Sequence, residues 1–138
     1  MPQLIKHIDA IARQKQRDVL FVVFGARAQG DIVSDYDYEA DVRRGDFIAW
    51  LDNHQISWLP CGGYASTSGF GAYDGRIYLD VPYEESDETY CLVRDYLESP
   101  DGISRYDDAL FCYLPLEEAM ENAHHDEPGF WERWAKDF

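Results

Sequence analysis

The sequence predicts an α+β fold, with helices packed on one face of an antiparallel or mixed sheet. Three observations support this prediction: segments with helical hydrophobic spacing alternate with short apolar segments, the chain has 138 residues, and 46% of them are apolar. Domains most often contain about 100–150 residues, and a chain of this size can bury roughly two-thirds of its unfolded surface. We therefore expect residues 1–138 to form a single domain with its own hydrophobic core.

The first predicted elements are an amphipathic helix and a buried strand. Apolar side chains recur at helical spacing at Leu4, Ile5, Ile8, Ile11 and Ala12. Arg13 and Lys15 fall on the opposite, polar side of that helix. Residues 19–24 form a continuous apolar run rich in β-branched side chains, which is typical of a central strand covered on both faces. Residues 25–45 are polar and acidic, and they are the least predictable stretch.

The middle of the chain predicts a helix and two strands. The helix is expected over residues 46–54, and Ile56–Leu59 predicts a short strand that Pro60–Gly63 interrupts. The pair Asp74-Gly75 is typical of a hairpin turn, because a type I′ turn needs two residues with positive φ. Apolar and polar side chains alternate over residues 76–81, which predicts a strand with one solvent-exposed face.

The last third of the chain predicts a helix, a strand and a further helix. Ser86 is the expected N-cap of the first of these, which ends at Pro100–Gly102. Ala109–Leu114 is an apolar strand stopped by Pro115, and a helix follows over Leu116–Ala123. Between the first and last helices the order is β-α-β-β-α-β. The predicted fold is therefore a ferredoxin-like sheet with helices added at the N-terminal and C-terminal ends.

The charge distribution favours a cationic partner. The chain has 27 acidic and 12 basic residues, a net charge of −15, and residues 80–138 hold 17 of the acidic residues but only 4 of the basic ones. Nucleic acid and anionic membranes are disfavoured as partners, since both bind through Lys and Arg. The first 30 residues carry a small positive excess, so phosphate is less firmly excluded near Arg27.

The cysteines and apolar runs predict a cytoplasmic protein. The three cysteines are Cys61, Cys91 and Cys112, an odd number without a Cys-x-x-Cys pair, which is atypical of a secreted disulfide framework. No signal-peptide pattern opens the chain, and the longest apolar run is much shorter than the roughly 20 residues that span a bilayer. We interpret the cysteines as small hydrophobic side chains.

One motif resembles an enzyme family. Gly25-Ala26 follows an apolar strand, and ten residues later Asp37 and Glu39 stand one residue apart. Residues 18–42 thereby resemble the signature of the polymerase-β-type nucleotidyltransferases, in which a strand runs into a glycine turn and a carboxylate pair follows. The resemblance implies that Asp37 and Glu39, pointing the same way from a strand, bind Mg²⁺ with Asp80 as the third carboxylate. The protein would then be a Mg²⁺-dependent nucleotidyltransferase or an inactive descendant of one.

Other motifs predict no cofactor. The adjacent His124 and His125 diverge by about 100° on a helix, which favours a helix C-terminus over a metal site. The glycine-rich stretch at residues 66–71 lacks the lysine and the residue order of a phosphate-binding loop.

Two clusters interleave carboxylates with tyrosines. The first contains Tyr36, Asp37, Tyr38 and Glu39, and the second contains Tyr83, Glu84, Glu85, Asp87 and Glu88. Carboxylates speed the encounter with a basic surface, and aromatic side chains hold the complex. We favour a small acidic, non-enzymatic binding protein that recognises a basic protein partner, such as an inhibitor or a toxin-immunity factor. The alternatives are the nucleotidyltransferase, and carboxylates that only solvate loops and helix starts.

Overall fold

The computed structural model describes residues 6–25, 37–63, 73, 75–130 and 133 of the chain. These residues form four α-helices and four β-strands. The helices are α1 (Ile8–Lys15), α2 (Val42–Asn53), α3 (Glu88–Leu97) and α4 (Leu116–Ala119), and the strands are β1 (Val19–Phe24), β2 (Trp58–Pro60), β3 (Ile77–Leu79) and β4 (Ala109–Leu114). A 3₁₀ segment at Tyr38–Ala40 precedes α2, and another at Met120–Asp126 follows α4.

The strands form one antiparallel sheet with the order β2-β3-β1-β4. β1 is central, and it pairs with β4 over its whole length, from Val19 opposite Leu114 to Phe24 opposite Ala109. Among the described strands, β2 and β4 therefore form the two edges of the sheet. The predicted α+β class is confirmed, and the boundaries of β1 and β4 are those predicted from the sequence.

β1 is buried on both faces because helices lie on both sides of the sheet. Side chains alternate along a strand, so Leu20 and Val22 face the side opposite to Val19. The first two belong to a core shared with α2 and α3, whereas Val19 belongs to a second core shared with α1 and α4. The expectation of helices on one face only is wrong, because a strand that is apolar at every position needs cover on both sides.

β3 is also buried on both faces. The alternating pattern of residues 76–81 predicted a wet face at Tyr78, but Tyr78 is 0% exposed. Its ring lies in the second core, beside residues of α1. Its hydroxyl accepts a hydrogen bond from Arg17 at 3.2 Å and donates one to Asp80 at 2.9 Å. A tyrosine can thus occupy a polar position in the pattern and still be part of the core.

Aspartates determine where α2 and α3 begin. The Asp41 carboxylate accepts from the backbone N–H of Arg43 at 2.9 Å, so α2 begins at Val42 rather than at the predicted residue 46. α3 is capped by Asp87, which accepts from a backbone N–H at 2.8 Å, and the prediction of Ser86 as the N-cap is wrong. A charged carboxylate also complements the positive end of the helix dipole, which favours it over a serine hydroxyl.

The described helices are short. The longest of them is α2, with 12 residues, and none is long and apolar enough to cross a membrane. The helix predicted over Leu116–Ala123 is α-helical only as far as Ala119 and continues as the 3₁₀ segment. Cys61 is buried in the second core as predicted, while Cys91 and Cys112 are half-buried.

Some sequence expectations concern residues outside the described ranges. These are Leu4, Ile5, Ala26, Arg27, Tyr36, Asp74 and residues 66–71. Gly75, from the predicted turn, is described and has φ +89°, a backbone conformation that glycine adopts readily.

Candidate functional site

A row of aromatic rings lies where the loop before α3 meets α3 and β4. The ring centroid of Tyr83 is 5.4 Å from that of Tyr90 on α3 and 4.9 Å from that of Tyr113 on β4. Phe111 extends the row, 6.3 Å from Tyr90. Tyr83 is 41% exposed and Tyr113 is 53% exposed, so part of this aromatic area faces solvent. We define the α3–β4 surface as these four aromatic residues together with Glu84, Glu85 and Glu88.

Backbone hydrogen bonds shape the loop that carries Glu84 and Glu85. The Glu84 N–H donates to the carbonyl of Pro82, and the Asp87 N–H donates to the carbonyl of Glu84, both at 3.0 Å. The Cys91 thiol donates to the carbonyl of Glu85 at 3.2 Å. Because these bonds use backbone carbonyls, both glutamate side chains remain exposed.

The acidic residues of the second cluster divide into two groups. Glu84, Glu85 and Glu88 are exposed, and no ion pair found among the described residues includes any of them. Asp87 is half-buried and caps α3, so its carboxylate has a structural role. Three carboxylates beside the aromatic row are therefore available to a cationic partner.

The first cluster is used mainly inside the protein. Asp37 accepts from the N–H of Glu39 at 3.0 Å and caps the 3₁₀ segment. The Tyr38 ring is half-buried and lies 4.9 Å from the guanidinium carbon of Arg44. Glu39 is exposed, and Tyr36 lies outside the described residues. These contacts favour the interpretation that this cluster supports local structure.

The carboxylate of Asp80 is engaged by two cations. Its Oδ1 lies 2.8 Å from Arg17 Nη2 and 3.6 Å from Lys15 Nζ, and it accepts the Tyr78 hydroxyl. Burial alone would raise the pKa of Asp80, but the Tyr78 hydrogen bond and the two positive charges lower it below its ordinary value. Burial is the largest cause that raises the pKa of Tyr78 to about 12, so this hydroxyl keeps its proton at neutral pH.

The three carboxylates implied as Mg²⁺ ligands are not brought together. Within the described ranges, which include Asp37, Glu39 and Asp80, no group of three or more His, Cys, Asp or Glu side chains could hold a metal ion. Asp37 and Glu39 lie at a 3₁₀ segment rather than on a strand, so the period-two alternation that would point them the same way is lost. Gly25 does have φ +73° at the end of β1, but residues 26–36 of the motif lie outside the described ranges.

A buried ion-pair cluster joins α1 to the segment after α4. Arg13 donates two hydrogen bonds to Asp126, at 2.8 and 3.0 Å, and one to Asp9 at 3.1 Å. It also donates to the carbonyl of Ala119 at 2.9 Å. The prediction that Arg13 lies on a wet face is wrong. Two of its acceptors, Asp126 and the Ala119 carbonyl, come from a segment more than 100 residues away, which local periodicity cannot detect.

Sequence reasoning also missed Phe111 and Tyr113 as parts of the α3–β4 surface. Their spacing of two residues does place them on one face of β4. The sequence does not reveal the strand order. This order puts β4 at an edge of the described sheet and its aromatic face next to α3.

Similarity to known proteins does not place this chain in a family. No protein-family model, curated protein or solved structure matches it. Among the described side chains, those of the α3–β4 surface combine exposed aromatic area with carboxylates that form no ion pair within the described residues.

Proposed function

We propose that this protein is a non-enzymatic binding protein that recognises a basic protein partner through the α3–β4 surface. One observation carries the proposal: four aromatic rings lie in a continuous row beside three exposed carboxylates that have no ion-pair partner among the described residues. Large aromatic side chains supply most of the energy at protein interfaces, whereas charges mainly set the rate and specificity of association.

The charge of the whole chain supports the same partner. A net charge of −15 attracts a basic protein from a distance, and the acidic excess lies in residues 80–138, which include this surface. The alternative role of these carboxylates, solvation of the loop and the helix start, does not require exposed tyrosines beside them. Tyr83 and Tyr113 are both more than one-third exposed. An acidic protein that covers a basic catalytic surface would act as an inhibitor or a toxin-immunity factor, and this is the role we propose.

We also propose that the sheet, with α2 and α3, has the ferredoxin-like arrangement. The support is the element order β1-α2-β2-β3-α3-β4 together with the strand order β2-β3-β1-β4 and antiparallel neighbours. In this arrangement α1 and α4 are additions that cover the second face. The consequence for function is that β4 is an edge strand whose aromatic face adjoins α3.

The test is charge reversal with a matched control. The partner is captured on the immobilised protein, identified, and its association rate is measured at low and at high salt. We expect the triple variant Glu84→Lys, Glu85→Lys, Glu88→Lys to slow association by roughly tenfold or more at low salt, and the effect to shrink as salt screens the charges.

The control reverses three other exposed carboxylates. Asp46→Lys, Asp107→Lys, Glu117→Lys makes the same change in net charge, and Glu117, like Glu88, lies in the first turn of a helix. We expect this control to slow association much less than the test variant does. Equal slowing by both variants, or no slowing by the test variant, would contradict the proposed surface. A retained partner with an acidic surface would contradict the proposed function.

A further inference from the structure

A small cavity opens between α3 and β4 within the α3–β4 surface. Its volume is about 210 Å³, below the roughly 300–1,000 Å³ of pockets that hold drug-sized ligands, so its size suits one side chain. Its walls include the four aromatic residues of the surface, and Glu98 is the one charged residue among the described residues that line it. Burial raises the pKa of Tyr90, so this phenol in the wall stays neutral.

The chemistry of this lining suits a cation with an apolar stem. Aromatic faces attract ammonium and guanidinium groups, and a desolvated carboxylate gains from a positive neighbour. Glu98 is half-buried, and this burial raises the pKa of its carboxyl although the charge of Arg94 acts in the opposite direction. Two described cations lie near this end of α3: Arg105 Nε donates to the backbone carbonyl of Glu98 at 3.0 Å, and the guanidinium carbon of Arg94, which hydrogen-bonds Asp95, lies 5.7 Å from the Tyr90 ring centroid. Neither arginine lines the cavity. A lysine or arginine side chain from outside would bury its stem among the rings and bring its charge to Glu98.

Within the part of the chain that the structure describes, β4 has an open main-chain edge beside the cavity. The Gly25 N–H donates to the Asp108 carbonyl at 2.9 Å, and the register continues in step along β1 and β4. In an antiparallel pair the bonded positions alternate, so the N–H and C=O groups of Ala109, Phe111 and Tyr113 point away from β1. The Ala109 carbonyl accepts from the Ser104 hydroxyl at 3.0 Å. Within the described residues no hydrogen bond engages the outward groups of Phe111 and Tyr113.

The two edges of the sheet are not equivalent. β2 has three residues and ends at Pro60, whose missing N–H limits pairing, whereas β4 has six residues and no proline. Phe111 and Tyr113 both line the cavity and carry outward main-chain groups. A strand added to this edge would therefore place its alternate side chains over the cavity.

We propose that the basic partner docks as an extended segment, adding a strand to β4 at Phe111–Tyr113 and inserting one lysine or arginine side chain into the aromatic cavity beside Glu98. This inference rests on the proposed function, since it names the segment by which the basic partner is held. Charge decides between this occupant and a second copy of the chain. Two copies, each with a net charge of −15, would bring their carboxylates together, whereas a basic segment neutralises them.

A peptide titration tests this inference directly. The probe is the acetylated, amidated peptide Thr-Val-Thr-Lys-Thr-Val-Thr, and the comparison peptide has norleucine in place of lysine, which keeps the stem and removes the charge. On isotope-labelled protein we expect the lysine peptide to shift the N–H resonances of Phe111 and Tyr113 and to bind roughly tenfold more tightly than the norleucine peptide. Equal affinity of the two peptides, shifts confined to other residues, or no shift at millimolar peptide would overturn the inference.

Variants of the cavity complete the test. We expect Glu98→Gln and Tyr83→Ala each to weaken binding of the lysine peptide, and Glu117→Gln, a change at an exposed carboxylate on α4, to leave it unchanged. Thermal unfolding of each variant verifies that it is folded.

The two proposals can fail separately. With the captured partner, slower association of the triple charge-reversal variant but unchanged dissociation of Glu98→Gln and Tyr83→Ala would overturn the docking inference and leave the proposed function standing. Unchanged association of the triple variant would overturn the proposed function, whatever the peptides do.

Discussion

Replacing Arg13 with methionine is expected to lower the free energy of unfolding by about 3–5 kcal/mol. Methionine keeps most of the apolar stem but removes every hydrogen bond of the guanidinium. The Asp9 carboxylate, which is 0% exposed, then remains buried without its cation, and the Ala119 carbonyl loses a donor. A loss of this size is a large fraction of the roughly 5–15 kcal/mol that stabilises an ordinary domain.

The two carboxylate acceptors of Arg13 contribute unequally. The Asp126 side chain is 54% exposed, so water can replace its guanidinium partner, and Asp126→Asn is expected to cost about 1 kcal/mol or less. Most of the Arg13→Met penalty is therefore the loss of the guanidinium charge beside Asp9, which would keep a hydrogen bond from Asn122, at 2.9 Å in the folded protein. The double variant Asp9→Asn, Arg13→Met removes both charges, and we expect it to be more stable than Arg13→Met alone.

Urea unfolding followed by tryptophan fluorescence measures these differences in the free energy of unfolding, provided that all variants share the same dependence of this free energy on urea concentration. Two results would contradict this expectation: an Arg13→Met cost no larger than that of Asp126→Asn, or a double variant no more stable than Arg13→Met. Either result would mean that Asp9 is not buried as a charge that depends on Arg13.

Three further outcomes follow from the structure. Asp87→Ala should cost about 1 kcal/mol through loss of the α3 cap, whereas Ser86→Ala should be nearly neutral in the same urea assay; the reverse order would contradict the capping assignment. The folded-state pKa of Asp80 is lowered, so ionised Asp80 should make wild type more stable than Asp80→Asn above the ordinary aspartate pKa. This extra stability should disappear as pH falls through the folded-state pKa of Asp80. A stability difference that does not change with pH would exclude a contribution from the Asp80 charge. We expect calorimetry to detect no Mg²⁺-dependent binding of a nucleoside triphosphate at millimolar Mg²⁺. Turnover of a nucleoside triphosphate by wild type that is lost in both Asp37→Ala and Glu39→Ala would favour the nucleotidyltransferase alternative over the binding protein.

Strands could be predicted from the sequence where a continuous apolar run has clear ends. β1 is an apolar run bounded by Asp18 and Gly25, β4 is one bounded by Asp108 and Pro115, and both have the predicted ends. The start of α2 could not be predicted from hydrophobic spacing, because its first turn is polar and contains Gly45. What fixes this turn is the Asp41 cap, and Arg43 then reaches Asp108 at 3.0 Å across the fold. Such long-range pairing leaves no mark on local periodicity.

The sequence predicts only those members of the candidate site that are neighbours along the chain. The cluster from Tyr83 to Glu88 is contiguous in sequence, so its composition alone drew attention to it. Glu98, Phe111 and Tyr113 join it only through the packing of α3 against the sheet. Conversely, the spacing of Asp37 and Glu39 predicts a ligand pair only if both residues lie on a strand, and they lie at a 3₁₀ segment instead.

The open edge of β4 also has a cost for the unbound protein. A six-residue strand with outward N–H and C=O groups is a template for aggregation, and natural sheets protect such edges with charge. Glu84, Glu85 and Glu88 are exposed on the same α3–β4 surface, and we expect their charges to keep copies of the protein apart at neutral pH. Conditions that protonate or screen them, such as acid or high salt, should remove this protection, so the carboxylates that we propose as the attraction for a basic partner would also oppose self-association.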